Sequence, residues 1–346
     1  MLYNFMNDYN ECAHERILEA ISEANREQDN SYGLDTRCER ARNLIQKAIG
    51  NPESDVQFLV GGTQTNTTVI VASLKPYQGV IAAVSGHINV HETGAIEATG
   101  HKVLVLPTPN GKITAEQIEQ SVRAHYEDST AEHMVQPGMV YLSHPTEVGT
   151  IYQKNELIAI WNVCQKYDMR LYIDGARLGT ALVARGADIT LNDLSKYTSA
   201  FSIGGTKLGA LFGEAVVLND SSLKKDFRYH IKQRGGMFAK GRLLGIQFET
   251  FFTDGLYFEI ARHSVLQAER ISEGLRKRGY RLFVDSPTNQ VFAILPKSAI
   301  EQISESFGYS FWQAFDEEND VVRFCTSWAT PPQMVDALLD RIPLKK

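Results

Sequence analysis

The spacing of apolar residues changes several times along the 346-residue chain. From about residue 56 to 217, short apolar runs alternate with longer segments in which apolar residues recur every three or four positions. The runs at 56–60, 80–84, 103–106, 139–142, 171–173 and 200–203 are short and continuous, as in strands covered on both faces. The segments 36–49, 114–126 and 153–167 carry the helical period. Gly50 and Pro52 stop the first of these, and Thr114 with Gln117 has the spacing of a capping box at the start of the second. Strand and helix in alternation predict βαβ units and a mostly parallel sheet, with residues 210–217 as a neighbouring or antiparallel strand.

The helical period also marks residues 14–26, 241–252 and 256–278, the last long enough to join two units. Beyond Gly279 the pattern changes to strands at 282–284, 291–295 and 321–324 and a final helix at 332–339, a small α/β unit. The expected fold class is therefore α/β, with a large domain over residues 1–250 and a small one over 251–346. Residues 224–240 are rich in basic side chains and read as a solvated loop.

Composition narrows the function classes. Apolar residues at 43% and charged residues at 22% fit a soluble globular protein, and a net charge of −6 provides no electrostatic footprint for nucleic acid. Cys12, Cys38, Cys164 and Cys325 are dispersed without a CxxC pair, unlike a disulfide framework or a zinc site. No apolar stretch reaches the ~18 residues of a membrane span, and the N-terminus lacks a signal-peptide core. A cytoplasmic protein with no membrane partner is expected.

Candidate chemistry concentrates between residues 171 and 207. One apolar run ends in Asp174, and a second ends in Gly204-Gly205-Thr206-Lys207, so two buried strands would deliver an acid and a lysine to one sheet edge. A lysine among small residues at a strand end is a candidate Schiff-base former, and Arg177 offers a fork for a carboxylate or a phenolate. The alternative for these residues is an ordinary Asp-Gly turn and a solvated lysine. Gly61-Gly62-Thr63, between a strand and a helix, offers backbone N–H groups and a hydroxyl to a small phosphate, or else a plain helix cap. His87 and His91 lie four apart with Glu92 next to them, which admits a zinc site or a simple helix start. Glu147 follows a strand end and reads equally as a general base or as a partner for an arginine. Arg323 stands inside an apolar strand, where it is paired or faces solvent.

IDGAR at 173–177 and IGGTKLGALFGEA at 203–215 resemble the active-site segment of the pyridoxal phosphate-dependent threonine aldolase and β-eliminating lyase family. The resemblance extends over most of the chain, more weakly at its C-terminal end. It implies an aspartate-aminotransferase-like large domain and a homodimer or homotetramer with shared active sites. It also implies Lys207 as the lysine that holds the cofactor, Asp174 on the ring nitrogen and His87 stacked on the ring. Gly62, Thr63 and Thr206 would hold the phosphate; Arg177 and Arg323 would contact the substrate carboxylate and the phenolate oxygen. Asn7 would lie in the N-terminal segment lining the substrate pocket, where many relatives carry a serine. Arg234 or Lys240 would reach a neighbouring subunit's phosphate site.

Glu147 falls where better-known threonine aldolases carry a second histidine against the substrate β-hydroxyl. The implied activity is retro-aldol cleavage of L-threonine or L-allo-threonine to glycine and acetaldehyde, and the alternative on the same scaffold is β-elimination or dehydration. A metal-dependent hydrolase built on His87, His91 and Glu92 and a catalytically silent binding protein are the readings from other classes.

Overall fold

The apolar runs of the sequence come together in one sheet. The computed structural model describes residues 3–345. Seven strands, β1 (Asp55–Leu59), β2 (Gln78–Ala83), β3 (Val103–Leu106), β4 (Gln136–Ser143), β5 (Arg170–Asp174), β6 (Ala200–Gly204) and β7 (Glu214–Leu218), lie in the order β1-β7-β6-β5-β4-β2-β3. Neighbours are parallel except that β7 runs antiparallel to both β1 and β6.

Both faces of this sheet are covered, which explains the unbroken apolar runs. On β7, Ala215 and Val217 enter one core with Ile173, Phe201 and Ile203, whereas Val216 and Leu218 enter the opposite core with Tyr141, Tyr172 and Ala200. The helices that cover the faces begin and end where local chemistry directs. Thr36–Ile49 has Asp35 as its N-cap and Gly50 in the left-handed conformation as its C-cap, and Ala115–Glu127 carries the Thr114–Gln117 capping box.

A second sheet, of four antiparallel strands, closes the C-terminal part: Leu282–Val284, Gln290–Pro296, Ser310–Ala314 and Asn319–Cys325. The 22-residue helix Leu256–Lys277 runs between the two sheets in sequence and packs on both cores, with Tyr257 and Ala261 in one and Ala268, Ile271 and Leu275 in the other. Residue 250, the expected domain limit, lies inside the helix Arg242–Phe252. Tyr3–Asn4 pairs in parallel with Phe307–Gly308, and Phe5 is buried in the C-terminal core, so the N-terminal residues pack with the smaller sheet.

The basic stretch 224–240 is not the solvated loop that its charges suggest. It contains the end of the helix Ser221–Lys224 and the whole helix Phe227–Gln233, because Phe227 and Ile231 are four apart and bury in the core that also holds Val69, Ile70 and Leu218. The surrounding basic residues mask that two-residue apolar stripe.

Candidate active site

The carboxyl ends of β1, β5 and β6 surround a cavity of about 320 Å³, whose lining includes Gly61, Gly62, Thr63, His87, Glu147, Asp174, Arg177, Thr206, Lys207 and Glu214. Eight of the residues singled out from the sequence therefore meet at one site: His87, Glu147, Gly62, Thr63, Asp174, Arg177, Thr206 and Lys207. Asn7 and Arg323, the other two expected at the substrate, do not line it.

Asp174 terminates β5 and is buried. The glycine after it is a packing requirement, since a Cβ on Gly175 would collide with the Ser202 carbonyl of β6. Tyr141 Oη and Asn66 Nδ2 donate to Asp174 Oδ2 at 2.6 and 2.9 Å, and the Ala176 N–H donates to Oδ1 at 2.9 Å. Burial alone would push the carboxyl's pKa up; these donors and the nearby His87 outweigh it and hold Asp174 below the ordinary carboxylate range. The result is a buried acid that is ionised at neutral pH.

Behind Asp174 lies a layer that the sequence did not reveal. Asn66 also donates to Glu92 Oε1 at 2.7 Å while its own Oδ1 accepts from Tyr172 Oη at 2.8 Å. The same Glu92 oxygen lies 2.8 Å from His87 Nδ1 and fixes the imidazole at the cavity wall. Burial lowers the His87 pKa, but the Glu92 hydrogen bond and the charges of Glu147 and Asp174 raise it further, leaving it above its ordinary value. His91 is exposed and only packs against the His87 ring, at 5.5 Å between centroids. Among the described residues no His, Cys, Asp and Glu cluster has the geometry of a metal site, and Glu92 serves His87 and Asn66 instead.

β6 delivers the lysine. Gly204 packs against the Ala176 backbone with no room for a Cβ, and a 3-10 turn, Thr206–Leu208, follows. Thr206 Oγ1 accepts from the Gly213 N–H at 3.1 Å, tying the lysine turn to the start of β7. Across the cavity, β1 leads through Gly61 into the helix Gly62–Ser73. A Cβ added at Gly61 or Gly62 would meet nothing within 4 Å, so both glycines leave open space over the first-turn N–H groups. Gln64 anchors this turn, accepting from the Val60 N–H at 3.3 Å and donating to the Arg234 carbonyl at 3.0 Å.

Arg177 is buried against Asp8 in a two-pronged pair, Nε to Oδ2 at 2.6 Å and Nη2 to Oδ1 at 3.0 Å, and Asn289 Nδ2 donates to the same Oδ2 at 2.9 Å. Burial would lower the pKa of the guanidinium; the Asp8 charge reverses this and holds it above the usual arginine value. Asn7, one residue away, turns its Oδ1 to the Tyr9 N–H at 3.0 Å, and Tyr9 is the residue of this segment that lines the cavity. Glu147 accepts from Ser143 Oγ at 3.3 Å. Arg323 donates to Gln290, Ser310 and the Met6 carbonyl at 3.2–3.3 Å, so its charge holds the N-terminal segment against the small sheet.

The residues present fit pyridoxal phosphate. The open helix N-terminus with its two bare glycines suits a phosphate, the ionised Asp174 suits a pyridinium N–H, the anchored His87 offers a flat ring, and Lys207 supplies the amine.

Comparison with known proteins gives the same direction. The β-eliminating lyase family model matches residues 11–296, which include every cavity residue named above except Tyr9. A low specificity L-threonine aldolase of Pseudomonas aeruginosa is 30% identical over 328 residues, 94% of this chain and 92% of that protein. A threonine aldolase structure from Leishmania major is 42% identical and superposes with a TM-score of 0.95 over 98% of both chains. An aspartate aminotransferase of Thermus thermophilus superposes with a TM-score of 0.70 over 98% of this chain and 90% of that one; at 14% identity it shares the fold alone.

Proposed function

The chain belongs to the β-eliminating lyase family, and from that premise we propose that it is a pyridoxal phosphate-dependent carbon–carbon lyase cleaving L-threonine and L-allo-threonine to glycine and acetaldehyde. The observation that carries this reading is the convergence of Asp174, Lys207, Arg177, His87 and Glu147 on one cavity, beside a phosphate-sized opening at a helix N-terminus.

When bound, pyridoxal phosphate supplies an electron sink for the bond broken at the substrate α-carbon. Gly62, Thr63 and Thr206 would hold its phosphate, Lys207 its carbonyl carbon, and His87 the face of its ring. Asp174 would hold a proton on the ring nitrogen, since the donors around it keep the carboxylate charged. Arg177 has Nε and Nη2 fixed by Asp8, which leaves Nη1 to bind the amino-acid carboxylate in a set direction. Glu147 takes the proton from the substrate β-hydroxyl, the step that makes the aldehyde leave.

The enzyme acts as a homodimer or homotetramer in the cytoplasm. Among the described residues no helix is long and apolar enough to cross a membrane. The surface around Phe227–Gln233 exposes Tyr229 at 77% and Tyr32 at 44%, a pair of aromatic rings suited to a second copy of the chain.

The test is product analysis after L-allo-threonine is incubated with the protein and pyridoxal phosphate. Glycine with acetaldehyde is expected, and Lys207→Ala abolishes both. Ammonia with 2-oxobutyrate would instead establish elimination.

A further inference from the structure

One carboxyl group in the cavity has no part in the scheme above. Glu214 opens β7, and because β7 runs against its neighbours, its first residue reaches the edge where β1 and β6 end. It stands directly opposite Leu59 and Gly204. Register places it on the same face of the sheet as Val216, Ser202, Tyr172 and Asp174, the face covered by the helix Gly62–Ser73. Its side chain lines the cavity together with Lys207 and Asp174. The residue is only 4% exposed, and Oε2 is buried without a hydrogen-bond partner.

A buried carboxylate normally has a cation or several donors. The two other cations of this site are engaged elsewhere, Arg177 with Asp8 and His87 with Glu92. The same face already carries the Asp174 carboxylate, and a bound phosphate would add nearly two further negative charges. A third anion there, without a partner, would be strongly disfavoured.

We propose that Glu214 stands as a neutral carboxylic acid in the resting enzyme and serves as the proton reservoir of Lys207, protonating the lysine amine when substrate frees it and recovering that proton when the lysine is bound again. The step balances within the pair: the Glu214 O–H bond breaks, a Lys207 N–H bond forms, and acid plus amine become carboxylate plus ammonium. No other reactant is needed, and the total charge of the site does not change. Glu214 thus acts through Lys207, as a positioning residue that sets when the lysine is a free base and when it is an acid.

The electrostatics agree. Burial pushes Glu214 well above the ordinary carboxyl range, the Asp174 charge pushes it further, and Lys207 alone pulls it back. The other titratable groups that feel its charge, Tyr172 and Tyr257, are themselves raised by burial and stay neutral. That leaves Lys207 as the partner for proton exchange.

This inference rests on the pyridoxal phosphate reading, and the test separates the two. Difference infrared spectra are recorded on the pyridoxal phosphate-loaded enzyme before and after addition of glycine, which occupies the site and frees the lysine. The expected result is loss of a protonated-carboxyl C=O band with gain of a carboxylate band. The C=O change is absent in Glu214→Gln and displaced but present in Glu214→Asp. Glu214→Gln also keeps its cofactor while turnover falls about 10²-fold or more. A loaded wild-type enzyme that shows no loss of a protonated carboxyl on glycine addition overturns the proposal, and that measurement needs no variant. A band change that survives in Glu214→Gln assigns the proton to another residue and overturns it as well. A protein that takes up no pyridoxal phosphate overturns the underlying reading, and this proposal with it.

Discussion

Asp174 was legible as a candidate functional acid because it ends an apolar run at a strand's carboxyl end, but an ordinary Asp-Gly turn has the same pattern, and only the family resemblance separated the two. Tyr141 and Asn66, which determine its charge, were not. Tyr141 sits in an apolar strand as one more aromatic residue, and Asn66 in a Thr-rich helix as one more polar one; their partner lies 33 and 108 positions away. Tyr141→Phe removes one hydrogen bond to a charged group, worth about 1.5–3 kcal/mol. Because the folded Asp174 pKa is depressed, its stabilising effect is complete above the unfolded value, near ~4, and is lost as pH falls through the folded value. The variant raises the folded value toward the unfolded one. Its melting temperature should be lower than wild type at neutral pH, and the gap should close as the solution is acidified through that range. Thermal melts of the cofactor-free proteins between about pH 3 and 7 would measure this. Parallel curves with a constant gap would mean that Tyr141 contributes packing and no charge stabilisation.

At the scale of elements, the strands and most helices of the large sheet were readable, since doubly covered strands and amphipathic helices have different periods. The helix Phe227–Gln233 was not readable, because a stripe of two apolar residues among basic ones is too short to establish a period. The turn from β1 into the helix Gly62–Ser73 was readable as an anion site but not distinguishable from a plain cap; the open space over Gly61 and Gly62 is what separates the two. Gly62 does not have the positive φ that would demand glycine, so Gly62→Ala should fold well and gain about 0.4–1 kcal/mol from a stiffer unfolded chain. The added methyl group, however, occupies the opening meant for the phosphate. The expected outcome is an unchanged or higher melting temperature without cofactor and an affinity for pyridoxal phosphate weakened by about tenfold or more, a change of ~1.4 kcal/mol. Gly175→Ala is the contrasting case: its Cβ would strike the Ser202 carbonyl, so it should lower stability even without cofactor. If Gly62→Ala binds pyridoxal phosphate as wild type does, the phosphate site lies elsewhere.

For the whole molecule, the least legible feature is how the N-terminal residues join the two sheets. Tyr3–Asn4 pairs with Phe307–Gly308, the Cys325 N–H donates to the Phe5 carbonyl at 2.8 Å, and Asp8 reaches Arg177 at the cavity. A two-residue strand has no readable period, and a buried ion pair spanning 169 positions leaves no local signal, so nothing in the sequence pattern ties this segment to either sheet. Two substitutions separate its anchoring role from its role at the site. Phe5 is fully buried in the C-terminal core, and Phe5→Ala should cost about 3–5 kcal/mol of stability through the cavity it leaves. Where that variant is folded, the KM for the β-hydroxy amino acid should change little. Asp8→Asn also destabilises, by roughly 3–5 kcal/mol if the buried guanidinium loses its counter-charge, but it additionally frees Arg177 to turn away from the substrate carboxylate. Its KM should therefore rise more steeply than its kcat falls, with the melting temperature lowered as well. Steady-state kinetics on both variants, at a temperature where each is folded, would measure the difference. A normal KM in Asp8→Asn would mean that the Asp8–Arg177 pair only fastens the N-terminal segment to the fold, and that something other than a fixed Arg177 orients the substrate.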